Sequence, residues 1–397
     1  MKRVISAALM TGVAAVLAAT AVAQPAELMR TEAAAQQGVS CNSTLKIALV
    51  TPLTGGAGFL GNAQLRWAKY AVKTLPKQYG LKIRLVTGDT PVEGGNAPAQ
   101  SVAQKFVGDR SVVAVIGPAT SGAVAATSQT YFQAGLAHIS PSATRTSLTQ
   151  GATKEATAAF FRVVPGDYIQ GPSDARFMID QLKVKKVVII DFQEPYSVGL
   201  ADAAQTFLRS KNVTVQREST SVRTTDFSSL VTRVPSDAEI VFFPTQQPED
   251  AQTFAQQLLE QGKRAKVFGG DGANSPDKFK VPGSYVSNFA RNISDFAYNK
   301  ALIAGWQKDN PGSQLESFGP PTYGAVQVAL NAIQRACKAG NGRVKNRRDV
   351  VRNVKRINVK NWILGGNFRF STKSNDPLNA KFYIFQIQSN GSYKLVG

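Results

Sequence analysis

The chain has 397 residues, 43% of them apolar and 18% charged, an ordinary globular balance that excludes a disordered chain, a fibrous repeat and a disulfide-dense mini-scaffold. Lysine and arginine number 46 against 26 acids, a formal charge of +20, and a single histidine, His138, serves the whole chain. Multi-histidine metal sites and histidine-dependent catalysis are poor expectations on that count, so no metal, no cofactor and no enzymatic role is expected.

Met1 is followed by Lys2, Arg3 and an apolar run from Val4 to Val22 that closes on Ala21-Val22-Ala23. A charged start, an apolar stretch and a small-residue end read as a signal peptide over residues 1–23, with export to the periplasm, and residues 24–43 read as an N-terminal extension. The leader holds two bases and no acid, which leaves +18 on the remainder. In an oxidising compartment Cys41 and Cys337 are disulfide candidates.

Strand and helix signals then alternate. Residues 46–50 form a short apolar strand, 62–75 a helix, 81–86 a strand, 97–107 a helix, 112–116 a strand, 121–133 a helix capped by Ser121, and 137–140 a strand. The rhythm restarts with strands at 160–164, 186–191, 213–217, 240–243 and 266–269 and helices at 167–182, 197–210 and 248–261. Three helices follow (296–308, 322–339 and 346–357), then strands at 367–371, 381–388 and 392–396, the last two flanking an Asn390-Gly391 turn. The third of these helices carries the densest basic cluster, Arg347, Arg348, Arg352, Lys355 and Arg356, interleaved with Val350, Val351, Val354 and Ile357 as a solvated face. No nucleic-acid-binding module accompanies it, and nucleic acid is not an expected partner.

This order predicts an α/β fold of two similar lobes, each a parallel-sheet sandwich, joined by a hinge of several chain crossings. Lobe 1 is expected over 44–163 plus 293–362 and lobe 2 over 164–292 plus 363–397, with crossings near 163–166, 290–294 and 361–366. The cleft between lobes is the natural ligand site.

Two motifs point elsewhere. Gly56-Ala57-Gly58-Phe59-Leu60-Gly61 matches the G-x-G-x-x-G dinucleotide pattern, but five residues separate Val50 from Gly56 and no acid follows Gly61 before Asp89, so a pliant loop is expected instead. There is no G-x-S-x-G elbow, and His138 lies in an apolar strand where a structural role is usual.

Three small-residue turns fall where strands end, the side of an open α/β sheet on which ligands sit. They are Gly117-Pro118-Ala119-Thr120-Ser121-Gly122, Ser140-Pro141-Ser142-Ala143-Thr144 and Gly269-Gly270-Asp271-Gly272. The first, opening a helix, offers free N–H groups and a hydroxyl to a carboxylate.

With Ile47-Ala48-Leu49-Val50-Thr51-Pro52-Leu53-Thr54-Gly55 and Thr225-Asp226-Phe227, these turns make the chain from about Leu45 onward resemble the type I periplasmic binding proteins of branched-chain amino-acid ABC transporters. The resemblance implies that Ser121, Ser142 and Thr144 hold an amino acid's carboxylate, that Asp271 pairs with its ammonium and that Tyr196 closes over it from the second lobe. Gln246 and Leu60 stand where relatives carry aromatics, which widens the expected ligand to a branched-chain amino acid or a more polar relative. The implied partners are that small molecule and a membrane permease, and the chain is expected to be a monomer. A ligand-sensing receptor subunit of the same fold, or a binder of a small carboxylic acid or amide, is the alternative.

Overall fold

The computed structural model describes residues 38–151 and 158–397; the expected signal peptide and the expected extension as far as residue 37 lie outside the described residues. Five strands, β1 (Thr44–Thr51), β2 (Lys82–Asp89), β3 (Val112–Ile116), β4 (Ala137–Ser140) and β5 (Phe160–Arg162), form an all-parallel sheet in the order β2-β1-β3-β4-β5. Helices α1 (Gly58–Thr74), α2 (Asn96–Gly108) and α3 (Ser121–Gln133) make its crossovers. Every residue of β3 is buried, as a strand covered on both faces must be, which explains its unbroken apolar run.

A second sheet repeats the plan. Strands β6 (Lys186–Asp191), β7 (Thr214–Ser219), β8 (Ile240–Phe243), β9 (Lys266–Gly269) and β10 (Tyr285–Asn288) are parallel in the order β7-β6-β8-β9-β10. Helices α4 (Asp167–Asp180), α5 (Pro195–Ser210) and α6 (Pro248–Glu260) accompany them. The hairpin β11 (Tyr383–Ile387) and β12 (Tyr393–Leu395) adds two antiparallel edge strands beyond β10, with Gly391 at φ +78° in its turn. Strand β10 itself and a five-residue helical turn, Ser228–Thr232, carry too little periodicity to be foreseen.

Both sheets therefore share one strand order with one reversal point. In such sheets the crevice opens at the carboxyl ends where the order reverses, here between β1 and β3 and between β6 and β8. All three turns singled out in the sequence follow carboxyl ends of strands: β3, β4 and β9.

The late helices α7 (Lys300–Asp309), α8 (Gly319–Ala339) and α9 (Arg347–Val354) return to cover the first sheet. Trp67 of α1 stacks on Trp306 of α7 at 4.8 Å, with Tyr323 of α8 edge-on at 6.2 Å. At Gly319 a Cβ would stand 1.9 Å from the Trp67 ring, so only glycine fits this crossing. Trp362 stacks on Phe368 at 4.3 Å, and Phe370 packs against Phe161. That aromatic packing keeps Ile363, Phe368 and Phe370 in the first core. The chain thus packs with the first core as far as Phe370 and joins the second sheet at Tyr383.

Cys41 and Cys337 are joined by a disulfide, and beside it Val39–Ser40 pairs with Arg343–Val344. The bond spans 296 residues. A closure this long restricts the unfolded chain strongly, so the Cys41→Ala/Cys337→Ala variant should be about 2–5 kcal/mol less stable. Thermal unfolding with and without reductant checks this; an unchanged midpoint would remove the bond from the stability account.

Candidate functional site

The first lobe supplies a hydroxyl-rich rim. Thr120 caps α3 by accepting from the Ala123 N–H at 3.4 Å; the cap is Thr120, one residue before the Ser121 expected. Relieved of capping, the Ser121 hydroxyl accepts from the Arg145 N–H at 3.2 Å. The loop after β4 is laced to the loop after β3: Ser140 Oγ donates to the Pro118 carbonyl and Ser142 Oγ to the Ala119 carbonyl, both at 2.7 Å. Ser142 Oγ also accepts from Gln64 Nε2, so its one proton is committed, and the Ser142 N–H donates to Ser140 Oγ at 3.4 Å. The Thr144 hydroxyl is buried without a hydrogen bond.

The second lobe supplies carboxylates. Asp271, 2% exposed at the end of β9, accepts from Gln170 Nε2 at 2.9 Å and from the Tyr196 hydroxyl at 2.8 Å. Tyr196 Oη in turn accepts from the Gly272 N–H at 3.0 Å. Gln170 extends the chain through Ser287 Oγ to Asp174. Gln246, after β8, packs its backbone against Gly272, and its buried side-chain amide acts on Glu194. Tyr196 opens α5 behind Glu194, whose carboxylate caps the helix through the Tyr196 and Ser197 N–H groups, with Pro195 at the first helical position.

Two carboxylates here are absent from the sequence-based set. Asp167 is fully buried at the start of α4, and its N–H donates to the Thr144 carbonyl at 2.8 Å. Glu194 is the other. Burial raises all three acids: Asp167 to about 7, Glu194 to about 7 and Asp271 to about 6. Asp167 is raised further by Asp271 and lowered by Thr144 and Arg162; Glu194 is lowered by its helix N–H groups, Gln246 and Arg145. The signals were present, an Asp167-x-x-Gln170-Gly171-Pro172 helix start at a lobe passage and a Glu194-Pro195 cap, but each is also an ordinary helix opening.

The remaining expected position, Leu60, is buried with Ala119, Val164, Phe289 and Phe318 in an apolar cluster drawn from both lobes. Tyr196 and Asp271 are thus bonded to each other with Gln246 against Gly272, while Ser121, Ser142 and Thr144 lie on the loops after β3 and β4, with Leu60 packed on Ala119. The lobes touch across this cleft. Arg223 Nη2 donates to the Glu93 carbonyl at 2.9 Å, the Gln247 side chain covers Gly56, and Pro195 packs on Gly122.

The glycine loop is occupied by carboxylates rather than shaped for phosphate. Leu53 and Thr54 N–H groups donate to Asp89, and the Gly56 N–H donates to Glu93. His138 is fully buried and pushed down to about 3 by desolvation, a neutral core ring between Leu136 and Ser128. A separate hollow of about 490 Å³ opens near Arg66, Lys278 and Arg291; none of the seven residues lines it, and its cations pair with Glu316, Glu249 and Asp295. No metal-ligand cluster occurs among the described residues, nor any helix long and apolar enough to cross a membrane.

Two sheets of equal topology, in contact through Arg223 with Glu93 and Gln247 with Gly56, give the chain a bilobal α/β fold. The chain belongs to the periplasmic binding protein family, whose model matches residues 44–392, and within it to the type I branched-chain amino-acid group. It is 28% identical to a Leu/Ile/Val-binding protein of Rhizobium johnstonii over 75% of this chain and 81% of that one. An amino acid binding protein of Pseudomonas aeruginosa is 32% identical over 75% of this chain and 78% of its own length. The crystal structure of a leucine binding protein from Thermotoga maritima superimposes with a TM-score of 0.79 at 21% identity, covering 89% of this chain and 98% of that one. Family membership implies a periplasmic setting.

Proposed function

We propose that this chain is the solute-binding component of an ABC importer, taking an amino acid in the interlobe cleft and delivering it to a membrane permease. The observation that carries this reading is the charge imbalance of the cleft. Asp271, Asp167 and Glu194 converge around Tyr196, while Arg162 is already paired with Asp376 and Arg145 is the one cation acting on Glu194. A buried cluster of acids calls for a cationic partner, which an α-ammonium supplies. On the first lobe, Ser121 and the start of α3 suit an α-carboxylate. The Leu60 cluster suits an aliphatic side chain.

A thermal-shift screen of the protein from Gln24 against amino acids, small amides and aromatic acids tests the proposal. A ligand at 100 times its dissociation constant stabilises by about 2.7 kcal/mol. Amino-acid hits support the reading; hits confined to acids without an ammonium would overturn the amino-acid assignment, and no hit would favour the receptor alternative.

The raised acids fix the sign of a pH effect. In the ligand-free protein they hold protons more tightly than in the unfolded chain, so their contribution to stability is greatest in acid and is lost as pH rises through about 6 to 7. An ammonium ligand needs them ionised. Affinity is therefore expected to rise between pH 5 and 8 (a window taken from those about 6 to 7 values) while ligand-free stability falls. Titration calorimetry across that range checks it, and a flat affinity would refute ammonium–carboxylate pairing.

A further inference from the structure

We propose that the outer face of the first lobe, formed by the end of α8, by α9 and by the segment that follows, docks on an anionic phospholipid bilayer. Between Arg335 and Lys360 the chain carries ten basic residues and one acid, Asp349. All ten bases but Arg347 are exposed; Arg347 turns inward to the Val107 and Asp109 carbonyls. Asp349 is committed to the start of α9, accepting from the Asn346 N–H, and to Arg352.

The fold collects these charges on one side. Arg348, Arg352 and Lys355 follow each other at helical spacing, opposite the buried Val350 and Val354. Arg335 Nη1 donates to the Arg356 carbonyl at 3.1 Å, which joins the end of α8 to the end of α9. The stretch contains no Phe, Tyr or Trp on which a base could stack, and its cations stand on helix and loop surfaces. A broad cationic face without stacking groups matches an array of anionic headgroups, the reading that clusters of this size carry. Each cation brought to such a surface adds about fivefold to the binding constant at low salt. The function proposed above requires the protein at a membrane, but this surface acts whatever solute the cleft holds.

The test is vesicle co-sedimentation of protein purified from the periplasmic fraction of an expressing host. Binding is expected to vesicles containing phosphatidylglycerol, to be absent on pure phosphatidylcholine and to be abolished by high salt. Replacing Lys338, Lys345 and Lys355 by glutamine should weaken binding about 100-fold, as three such cations are lost. The same triple change at Lys77, Lys185 and Lys211, exposed residues elsewhere, should weaken it less than about fivefold. Unfolding midpoints of both variants report whether the fold is kept. Equal losses in the two triples, binding to neutral vesicles, or capture by soluble polyphosphate but not by vesicles would each overturn the proposal.

Discussion

Replacing Asp271 by asparagine should weaken binding of the cognate amino acid by about 30-fold to several thousandfold, the cost of about 2–5 kcal/mol for removing one member of a buried charge pair. The fold should survive the change. Gln170 Nε2 and the Tyr196 hydroxyl both donate to Oδ1, and an amide oxygen can accept both bonds. Because burial raises the Asp271 carboxyl to about 6, its ionised form works against the ligand-free protein above that pH, and asparagine removes the penalty. At pH 8 the ligand-free variant should therefore unfold at the same temperature as the parent or higher, while the ligand-induced shift disappears. Calorimetry and thermal scans on the two proteins separate the effects. Undiminished affinity in the asparagine variant would sink the assignment of Asp271 to the ammonium.

The second large effect belongs to Arg162. Its Nε donates to Asp376 at 2.5 Å with both side chains buried, and its Nη1 reaches the carbonyls of Thr144 and Arg145 at 2.7 and 2.9 Å. Burial alone would raise the Asp376 carboxyl, but the Arg162 charge, with hydrogen bonds from Arg162, Thr149 and Ser374, holds it below its ordinary value. That contribution is complete above the ordinary carboxylate pKa and is lost as pH falls below it, opposite in sign to the cleft acids. Arg162→Met leaves Asp376 buried and unpaired, at a cost of about 3–5 kcal/mol, and should lower the unfolding midpoint by roughly 6–10 °C. Arg162→Met/Asp376→Leu should recover most of that loss, since no isolated charge remains. Binding should not recover, because the loop bearing Thr144 has lost the donor that fixes its carbonyls. If the double variant binds as the parent does, Arg162 is not a positioning residue for the site.

The sequence disclosed the architecture wherever both faces of a strand are covered. Val112–Ile116 and Ile240–Phe243 have no polar alternative, so burial and strand type were legible together. The placing of Asp271 and Ser121 just beyond carboxyl ends of strands was legible because turns of small residues follow the apolar runs there. Tyr285–Asn288 was hidden because four mixed residues have no period to detect. The packing of Phe368 and Phe370 was hidden because they read locally as a strand, while their membership of the first core depends on Trp362 and Phe161. Asp167 was missed for a related reason: an aspartate that opens a helix resembles any other, and only the tertiary fold reveals that its carboxylate is fully buried beside Asp271.

The repeated strand order has a consequence for selectivity. Each lobe offers one crevice, and each crevice holds half of the proposed contacts, carboxylate donors on one body and carboxylate acceptors on the other. A solute that satisfies a single crevice gains no energy from bringing the bodies together, whereas one that spans both is rewarded through the closure itself. Recognition thus becomes a conjunction of two independent tests, and an imposter that passes only one would occupy the protein without producing the shape that a downstream partner can read.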